Sequence, residues 1–135
     1  METVDEKMGS ILRARATVAV VGASPNPKRP SHAVMRYLIE HGFNVIPVRP
    51  RVSEILDQRC FGSLEEIPVP VDIVDVFRKA EACPEVARSA VAIGARVLWL
   101  QEGIVSEDAA EIARQGGLDV VMDRCTMREH LRINR

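Results

Sequence analysis

The sequence has few cysteines and no long apolar run, and both absences narrow the kind of protein it encodes. Cys60, Cys83 and Cys125 are an odd number of cysteines without a CxxC spacing, which argues against a disulfide framework and favours a reducing cytoplasm. No apolar run approaches the roughly 20 residues that a membrane-spanning helix needs. Met1–Ser10 is polar and acidic, unlike a signal peptide.

A large net charge is also absent. The 135 residues carry 18 lysines and arginines against 19 aspartates and glutamates, a net charge of −1. This balance argues against binding to bulk nucleic acid or to an anionic membrane, so a basic site must be local. The length and the hydrophobic content of 47% predict one domain over 1–135, with residues 1–14 as an N-terminal extension.

Five short, almost continuously apolar runs alternate with helical patterns, as is typical of parallel strands covered on both faces. The predicted strands are Val18–Val21, Asn44–Val48, Val71–Phe77, Arg96–Leu100 and Asp119–Met122. Helices are predicted over 31–41 and 84–93, from an N-cap at Ser106 to Gly116, and from about Met127. Residues 51–69 are predicted to be irregular, with one short helix near 63–67.

This alternation predicts an α/β fold with right-handed crossovers. We expect a Rossmann-like, doubly wound parallel sheet of five strands, in the order 3-2-1-4-5, inside a three-layer α/β/α arrangement. Ligands of such sheets bind outside the carboxyl ends of the strands, at the switch point, here expected between the first and fourth strands.

The segment after the first predicted strand contains a glycine turn that leads into a helix. It runs Gly22-Ala23-Ser24-Pro25-Asn26-Pro27-Lys28-Arg29-Pro30. Such a turn brings backbone N–H groups, and the positive end of the helix, towards an anionic ligand. The sequence lacks GxGxxG, so the dinucleotide-binding fingerprint is incomplete and the turn alone is a weak signal.

Six cations follow three neighbouring strand ends: Lys28, Arg29, Arg49, Arg51, Arg78 and Lys79. Their clustering in a chain of almost no net charge favours an anionic ligand with several phosphates over scattered surface charge. Arg49 stands where an NAD-binding strand ends in Asp or Glu, and it suits a phosphate on the adenosine ribose. NADP and coenzyme A both carry such a phosphate.

Some of the other candidate residues have two interpretations. The segment Gln101-Glu102-Gly103 is either a ligand loop or a simple turn, and His32 lies either near a phosphate or on the surface. His41 is expected at a helix end, Trp99 in the core, and Asp75 in a structural hydrogen bond. Cys125, Glu129 and His130 suggest a metal or a nucleophile, but adjacent Glu129 and His130 cannot both face Cys125 from a helix, which favours a structural turn.

Four segments together resemble the CoA-binding domain family, whose small stand-alone members are similar to the N-terminal domain of the succinyl-CoA synthetase alpha subunit. These segments are residues 18–50, 54–81, 94–104 and 117–130. Two positions depart from the family pattern: Arg49 replaces the usual Asn, and Asp57 replaces a frequent Gly. The resemblance implies a Rossmann-like fold that binds coenzyme A.

The resemblance also implies site residues. Gly22, Ala23, Ser24 and Pro25 would line the pyrophosphate, with Lys28 and Arg29 beside them, and Val48, Arg49 and Pro50 would lie near the adenosine. Phe77, Arg78 and Lys79 match the loop over the adenine and pantetheine path, and Gln101, Glu102 and Gly103 match the loop near the pantetheine arm. The synthetase's phosphorylated histidine lies in a second domain for which this chain has no room, so no catalytic residue is expected.

The sequence therefore predicts a non-catalytic, cytoplasmic protein that binds coenzyme A or an acyl-CoA, with no nucleic-acid or membrane partner and no metal. An NADP-binding module or small reductase is the main alternative. In a third hypothesis the domain serves a partner enzyme, or Cys125 forms a mixed disulfide with the CoA thiol. A homodimer is also possible, but no sequence feature fixes it.

Overall fold

Strands and helices alternate along residues 2–135, which the computed structural model describes. The strands are β1 (Thr17–Val21), β2 (Asn44–Val48), β3 (Glu54–Ile55), β4 (Gln58–Arg59), β5 (Ile73–Val76), β6 (Val97–Leu100) and β7 (Asp119–Val121). The helices are α1 (Val4–Ile11), α2 (Pro30–Glu40), α3 (Cys83–Ala92), α4 (Glu107–Gln115) and α5 (Thr126–Ile133). All five predicted strands and all four predicted helices are present, with ends shifted by one or two residues.

The main sheet is parallel throughout and has the order β2-β1-β5-β6-β7. The predicted fold class, a doubly wound Rossmann-like α/β sheet, is confirmed. The predicted strand order 3-2-1-4-5 is wrong, because the third sheet strand, β5, pairs with β1 on the side opposite β2. The switch point therefore lies between β1 and β5, and not between the first and fourth strands.

The segment between β2 and β5 explains this order. Helix α2 packs on one face of the sheet through Val34, Met35 and Leu38. The later segment instead places Leu64, in a single 3₁₀ turn at Leu64–Glu66, on the opposite face with α3 and α4. A right-handed crossover on the opposite face must step in the opposite direction. The chain therefore passes β1 and adds β5 beyond it.

Two elements were not predicted. Residues 54–59 form a small antiparallel hairpin, β3–β4, whose turn residues Leu56 and Asp57 have φ of 52° and 62°. This left-handed conformation favours glycine and tolerates Asp or Asn, which explains how Asp57 is accommodated in the turn. The second element is helix α1 in the N-terminal extension, which packs against α5 and buries Met8.

The core lies on both faces of the sheet. The largest fully buried side chain is Trp99, as predicted, and its indole Nε1 donates to the carbonyl of Arg124 at 2.7 Å. Both helix layers rest on near-continuous Val, Ile and Leu strands, which places the polar chemistry at the strand ends. Within residues 2–135, no helix has both the length and the apolar character needed to cross a membrane.

Candidate functional site

The carboxyl ends of β1, β2, β5 and β6 open into two adjoining clefts. The main cleft has a volume of about 860 Å³ and reaches from the glycine turn to the start of α5. The second cleft, of about 520 Å³, lies on the α3 side of the same strand ends. Gly22, Arg49, Phe77 and Arg78 line both clefts and form the divide between them. Each cleft by itself is within the size range of ligand sites for small molecules and cofactors.

The glycine turn is held in place by local hydrogen bonds. Gly22 has a φ of +85°, and its N–H donates to the Val48 carbonyl at 3.2 Å. The Ser24 N–H donates to the Ser31 hydroxyl at 3.1 Å, and the Ser24 hydroxyl accepts from the Asn26 N–H. The turn is therefore tied to both β2 and α2, as a preorganised binding loop requires.

The start of α2 borders the main cleft. Pro30 occupies the first turn, Ser31 and Ala33 line the cleft, and no side chain caps the helix at Arg29. The positive end of the helix dipole consequently faces the cleft, where it favours an anion. His32, for which the sequence left two positions open, is buried and only 6% exposed.

The six predicted cations do not all reach the clefts. Arg29, Arg49, Arg78 and Lys79 line the main cleft, whereas Lys28 and Arg51 line neither cleft. All six are exposed, and among residues 2–135 none of them forms an ion pair with a carboxylate. Arg49 instead donates from Nη1 to the Ala23 carbonyl at 3.3 Å, which joins the end of β2 to the glycine turn.

The remaining residues implied by the family resemblance lie around the same strand ends. Ser24, Pro25, Gln101 and Glu102 line the main cleft. Ala23, Val48 and Pro50 line the second cleft. Gly103 lines neither, and its N–H donates to the Asp123 carboxylate at 2.7 Å. Thus all the site residues implied by the family resemblance, except Lys28 and Gly103, line one or both clefts.

The floor of the main cleft contains a buried polar network centred on Asp75. The Gln101 amide donates to Asp75 Oδ1 at 2.5 Å, and the Thr126 hydroxyl donates to Oδ2 at 3.0 Å. Burial raises the pKa of Asp75 to about 7, and the hydrogen bonds from Gln101 and Thr126 partly oppose that rise. The expected structural hydrogen bond of Asp75 is confirmed, and the network ties β5 and β6 to the start of α5.

Cys125 and Glu129, which the sequence suggested as members of one metal or nucleophile site, have separate surroundings. Cys125 precedes α5 and lines the main cleft. Glu129 instead pairs with Arg124 and Arg132, each at 3.0 Å. In the described chain, no cluster of three His, Cys, Asp or Glu side chains is placed to hold a metal ion.

His130 belongs to an aromatic cluster with Tyr37, His41 and Phe43. Its Nδ1 is hydrogen-bonded to the Tyr37 hydroxyl at 2.6 Å, and burial together with the nearby His41 lowers its pKa. His41 lies at the end of α2, as predicted, and its Nδ1 donates to the Tyr37 carbonyl. The cluster joins α2 to α5 away from the clefts.

Several cleft residues were not identified from the sequence. Asn26, Ile104, Met127 and Arg128 also line the main cleft. Arg128 reaches across to Glu102, with its Nη1 2.9 Å from both carboxylate oxygens. Their common signal is that they lie in the loops after β1 and β6 or in the first turn of α5 after β7, and the apolar Ile104 and Met127 make the lining of the cleft partly apolar.

The chain is similar to known proteins along almost its whole length. A model of the CoA binding domain matches residues 16–131. The protein YneT of Bacillus subtilis is 40% identical over 120 residues, which are 89% of each chain. A solved structure of a hypothetical protein from Pyrococcus horikoshii is 40% identical, covers 98% of this chain and 94% of its own, and superposes with a TM-score of 0.93.

A third similarity is to a part of a larger enzyme. The alpha subunit of acetate–CoA ligase [ADP-forming] I from Pyrococcus furiosus is 32% identical over 106 residues. These are 74% of this chain but only 22% of the ligase subunit, so the chain corresponds to about a fifth of that relative. The match over 16–131 and the 40% identity over nearly all of YneT show that this chain belongs to the CoA-binding domain family.

Proposed function

We propose that this protein binds coenzyme A or an acyl-CoA in the two clefts without catalysing a reaction on it. The observation that carries the proposal is the placement of Arg29, Arg49, Arg78 and Lys79 around one cleft, with no carboxylate partner among residues 2–135. Unpaired cations beside a helix N-terminus favour a ligand with several phosphates. Membership of the CoA-binding domain family supports coenzyme A as that ligand.

The two ends of the main cleft suit the two parts of coenzyme A. The glycine turn Gly22–Pro25 and the start of α2 offer backbone N–H groups and positive potential to the pyrophosphate. The apolar side chains of Ile104 and Met127 lie at the other end, where the pantetheine arm would pack. Arg49, between the two clefts, is within reach of the ribose phosphate or the pyrophosphate.

Non-catalytic binding is supported by the chemistry of the cleft. Glu102 is the carboxylate that projects into the main cleft, and Arg128 already pairs with it. Asp75 is fully buried beneath the floor, and His130 is bonded to Tyr37 outside the cleft. Among the residues that line the main cleft, no carboxylate or imidazole is hydrogen-bonded to a hydroxyl or thiol, as acid–base or nucleophilic catalysis would require, and the Thr126 hydroxyl that donates to Asp75 is fully buried.

The second candidate is an NADP-binding module. It is favoured by one observation: Arg49, and not an acidic residue, follows β2, where it can meet a 2′-phosphate. This candidate ranks lower because the cleft lacks a residue for hydride transfer and because the family binds CoA. We also propose a reducing cytoplasmic location, which is supported by three buried cysteines that are all free thiols.

A thermal-shift comparison tests these proposals. A ligand that binds only the folded state raises the free energy of unfolding by RT ln(1 + [L]/Kd). We expect CoA and short acyl-CoA to raise the Tm, dephospho-CoA to raise it less, and NADPH to leave it unchanged. A shift with NADPH and none with CoA would replace the proposal with the NADP-binding alternative.

A further inference from the structure

Cys125 differs from the other two cysteines in its surroundings. The Cys60 thiol donates to the Arg49 and Phe61 carbonyls, and the Cys83 thiol donates to the Arg78 and Lys79 carbonyls. Burial raises the pKa of both thiols, which makes them poor nucleophiles. The Cys125 thiol has no hydrogen-bond partner in residues 2–135, and Cys125 is 8% exposed and lines the main cleft.

The thiol of Cys125 is also within reach of the sulfur end of the proposed ligand. Thr126, next to Cys125, bonds to Asp75 on β5 and to Gln101 on β6. β5 is the first and β6 the second neighbour of β1 in the sheet, so they lie about 5 Å and about 10 Å sideways from the strand that the glycine turn follows. The pantetheine arm has about a dozen bonds between phosphate and sulfur, and at the spacing of an extended chain it spans about 14 Å.

The main cleft is partly apolar along this path. Ile104, Met127 and Cys125 all line the main cleft, and so does Gln101, whose amide is already bonded to Asp75 and Thr126. The cleft thus brings together unpaired cations, apolar side chains and an unpartnered thiol. These are the groups that would meet the phosphates, the pantetheine arm and the sulfur of the proposed ligand.

We propose that Cys125 is a thiol–disulfide exchange site for CoA disulfides held in the main cleft. The proposal rests on the proposed function. The Cys125 sulfur, as thiolate, attacks the CoA sulfur of a CoA disulfide; the Cys125–CoA bond forms, the original S–S bond breaks, and the leaving thiolate takes up one proton. The number of disulfides is unchanged, so the only oxidant is the CoA disulfide itself.

Intact-mass spectrometry tests the exchange. Protein incubated with CoA disulfide is expected to gain the mass of one CoA less two hydrogens, and Cys125→Ser is expected to gain none. Cys60→Ser and Cys83→Ser are matched controls that should be labelled like the unchanged protein. Binding in the cleft should make labelling at least about tenfold faster than with glutathione disulfide at equal concentration, and desulfo-CoA should slow it.

Two results would overturn the inference. If calorimetry detects CoA binding but no adduct forms, the exchange site is wrong while the proposed function stands. If glutathione disulfide labels Cys125 as fast as CoA disulfide and desulfo-CoA has no effect, Cys125 is only an accessible thiol. If the unmodified protein does not bind CoA in calorimetry, the proposed function is refuted instead.

Peptide mapping keeps the test valid if Cys125→Ser fails to fold. Trypsin cleaves after Arg124 and Arg128, so the tetrapeptide 125–128 contains Cys125 as its single cysteine. The adduct in the unchanged protein is expected on this tetrapeptide. An adduct confined to the peptides with Cys60 or Cys83 would contradict the assignment.

Discussion

Gly22 and Phe77 approach so closely that no other residue type fits at position 22. Gly22 has a φ of +85°, and a Cβ added there would lie 2.5 Å from the Phe77 carbonyl oxygen and 3.1 Å from Cδ of Arg78. Position 22 thus lets the ends of β1 and β5 meet at the switch point, between the two clefts. The glycine turn depends on this contact as much as on the hydrogen bonds within it.

Gly22→Ala is predicted to destabilise the fold and to weaken binding. The change combines the cost of a left-handed backbone, about 1 kcal/mol, with a backbone clash, so we expect a total loss of about 2–4 kcal/mol in the free energy of unfolding. Gly42→Ala is the matched control, since Gly42 has a φ of +88° but nothing within 4 Å of an added Cβ. Urea unfolding measures both, and equal losses would show that the Phe77 contact is unimportant.

Asp75→Asn is predicted to change how stability depends on pH. The folded-state pKa of Asp75 is raised to about 7 from 3.8, so between these values the folded protein binds more protons than the unfolded chain. The contribution of Asp75 to stability therefore falls as pH rises from about 4 to 7 and is constant above that range.

The Asn variant lacks this decline. We expect it to be more stable than the unchanged protein at pH 8, by a few kcal/mol at most, and to gain less at pH 5. Asp57→Asn is the control, since Asp57 is exposed and Asn also tolerates its positive φ. Urea unfolding at both pH values gives the comparison. A difference between Asp75→Asn and the unchanged protein that is the same at pH 5 and pH 8 would contradict the assignment.

Arg49→Ala is predicted to weaken CoA binding without unfolding the protein. Loss of one charged hydrogen-bond donor to a phosphate costs about 1.5–3 kcal/mol, which corresponds to about 10–150-fold in Kd. Arg36→Ala removes an equal charge from the exposed side of α2, outside both clefts, and should change Kd less than about twofold. Calorimetry compares the two variants, and similar losses would mean that only net charge matters.

Met8→Ala is predicted to destabilise α1 against α5. Met8 is 5% exposed, whereas Val4 on the same helix is 65% exposed. Truncation of the buried side chain should cost about 2–3 kcal/mol, and Val4→Ala should cost less than about 0.5 kcal/mol. Thermal unfolding measures both, and an unchanged Tm for Met8→Ala would show that α1 does not stabilise the fold.

The sequence predicted those parts of the fold that depend on local pattern. Runs such as Asn44–Val48 are apolar on both faces, and Ser106 caps α4 by accepting from the Ala109 N–H as its position suggested. The glycine turn and most of the residues implied by the family resemblance lie at the predicted strand ends. Local composition was therefore sufficient to predict the number of strands in the main sheet and the edge of the sheet at which the clefts lie.

Strand order and side-chain networks depend on contacts between distant residues, and these were not predictable in the same way. The observed strand order differs from the predicted one because Leu64 packs on the α3 face of the sheet. The Asp75 network joins residues 26 and 51 positions apart along the chain. Helix α1 was the exception: the Thr3 hydroxyl caps it by accepting from the Glu6 N–H, and a threonine at this spacing is a local start signal that the prediction did not use.

Calorimetric titration of the folded protein with CoA tests the central claim most directly, with dephospho-CoA and NADPH as comparators. The account predicts saturable binding of one CoA per chain, weaker binding of dephospho-CoA, and no binding of NADPH. Absence of heat with CoA, in a sample that circular dichroism shows to be folded, would contradict it and would mean that the family's fold is retained without its ligand.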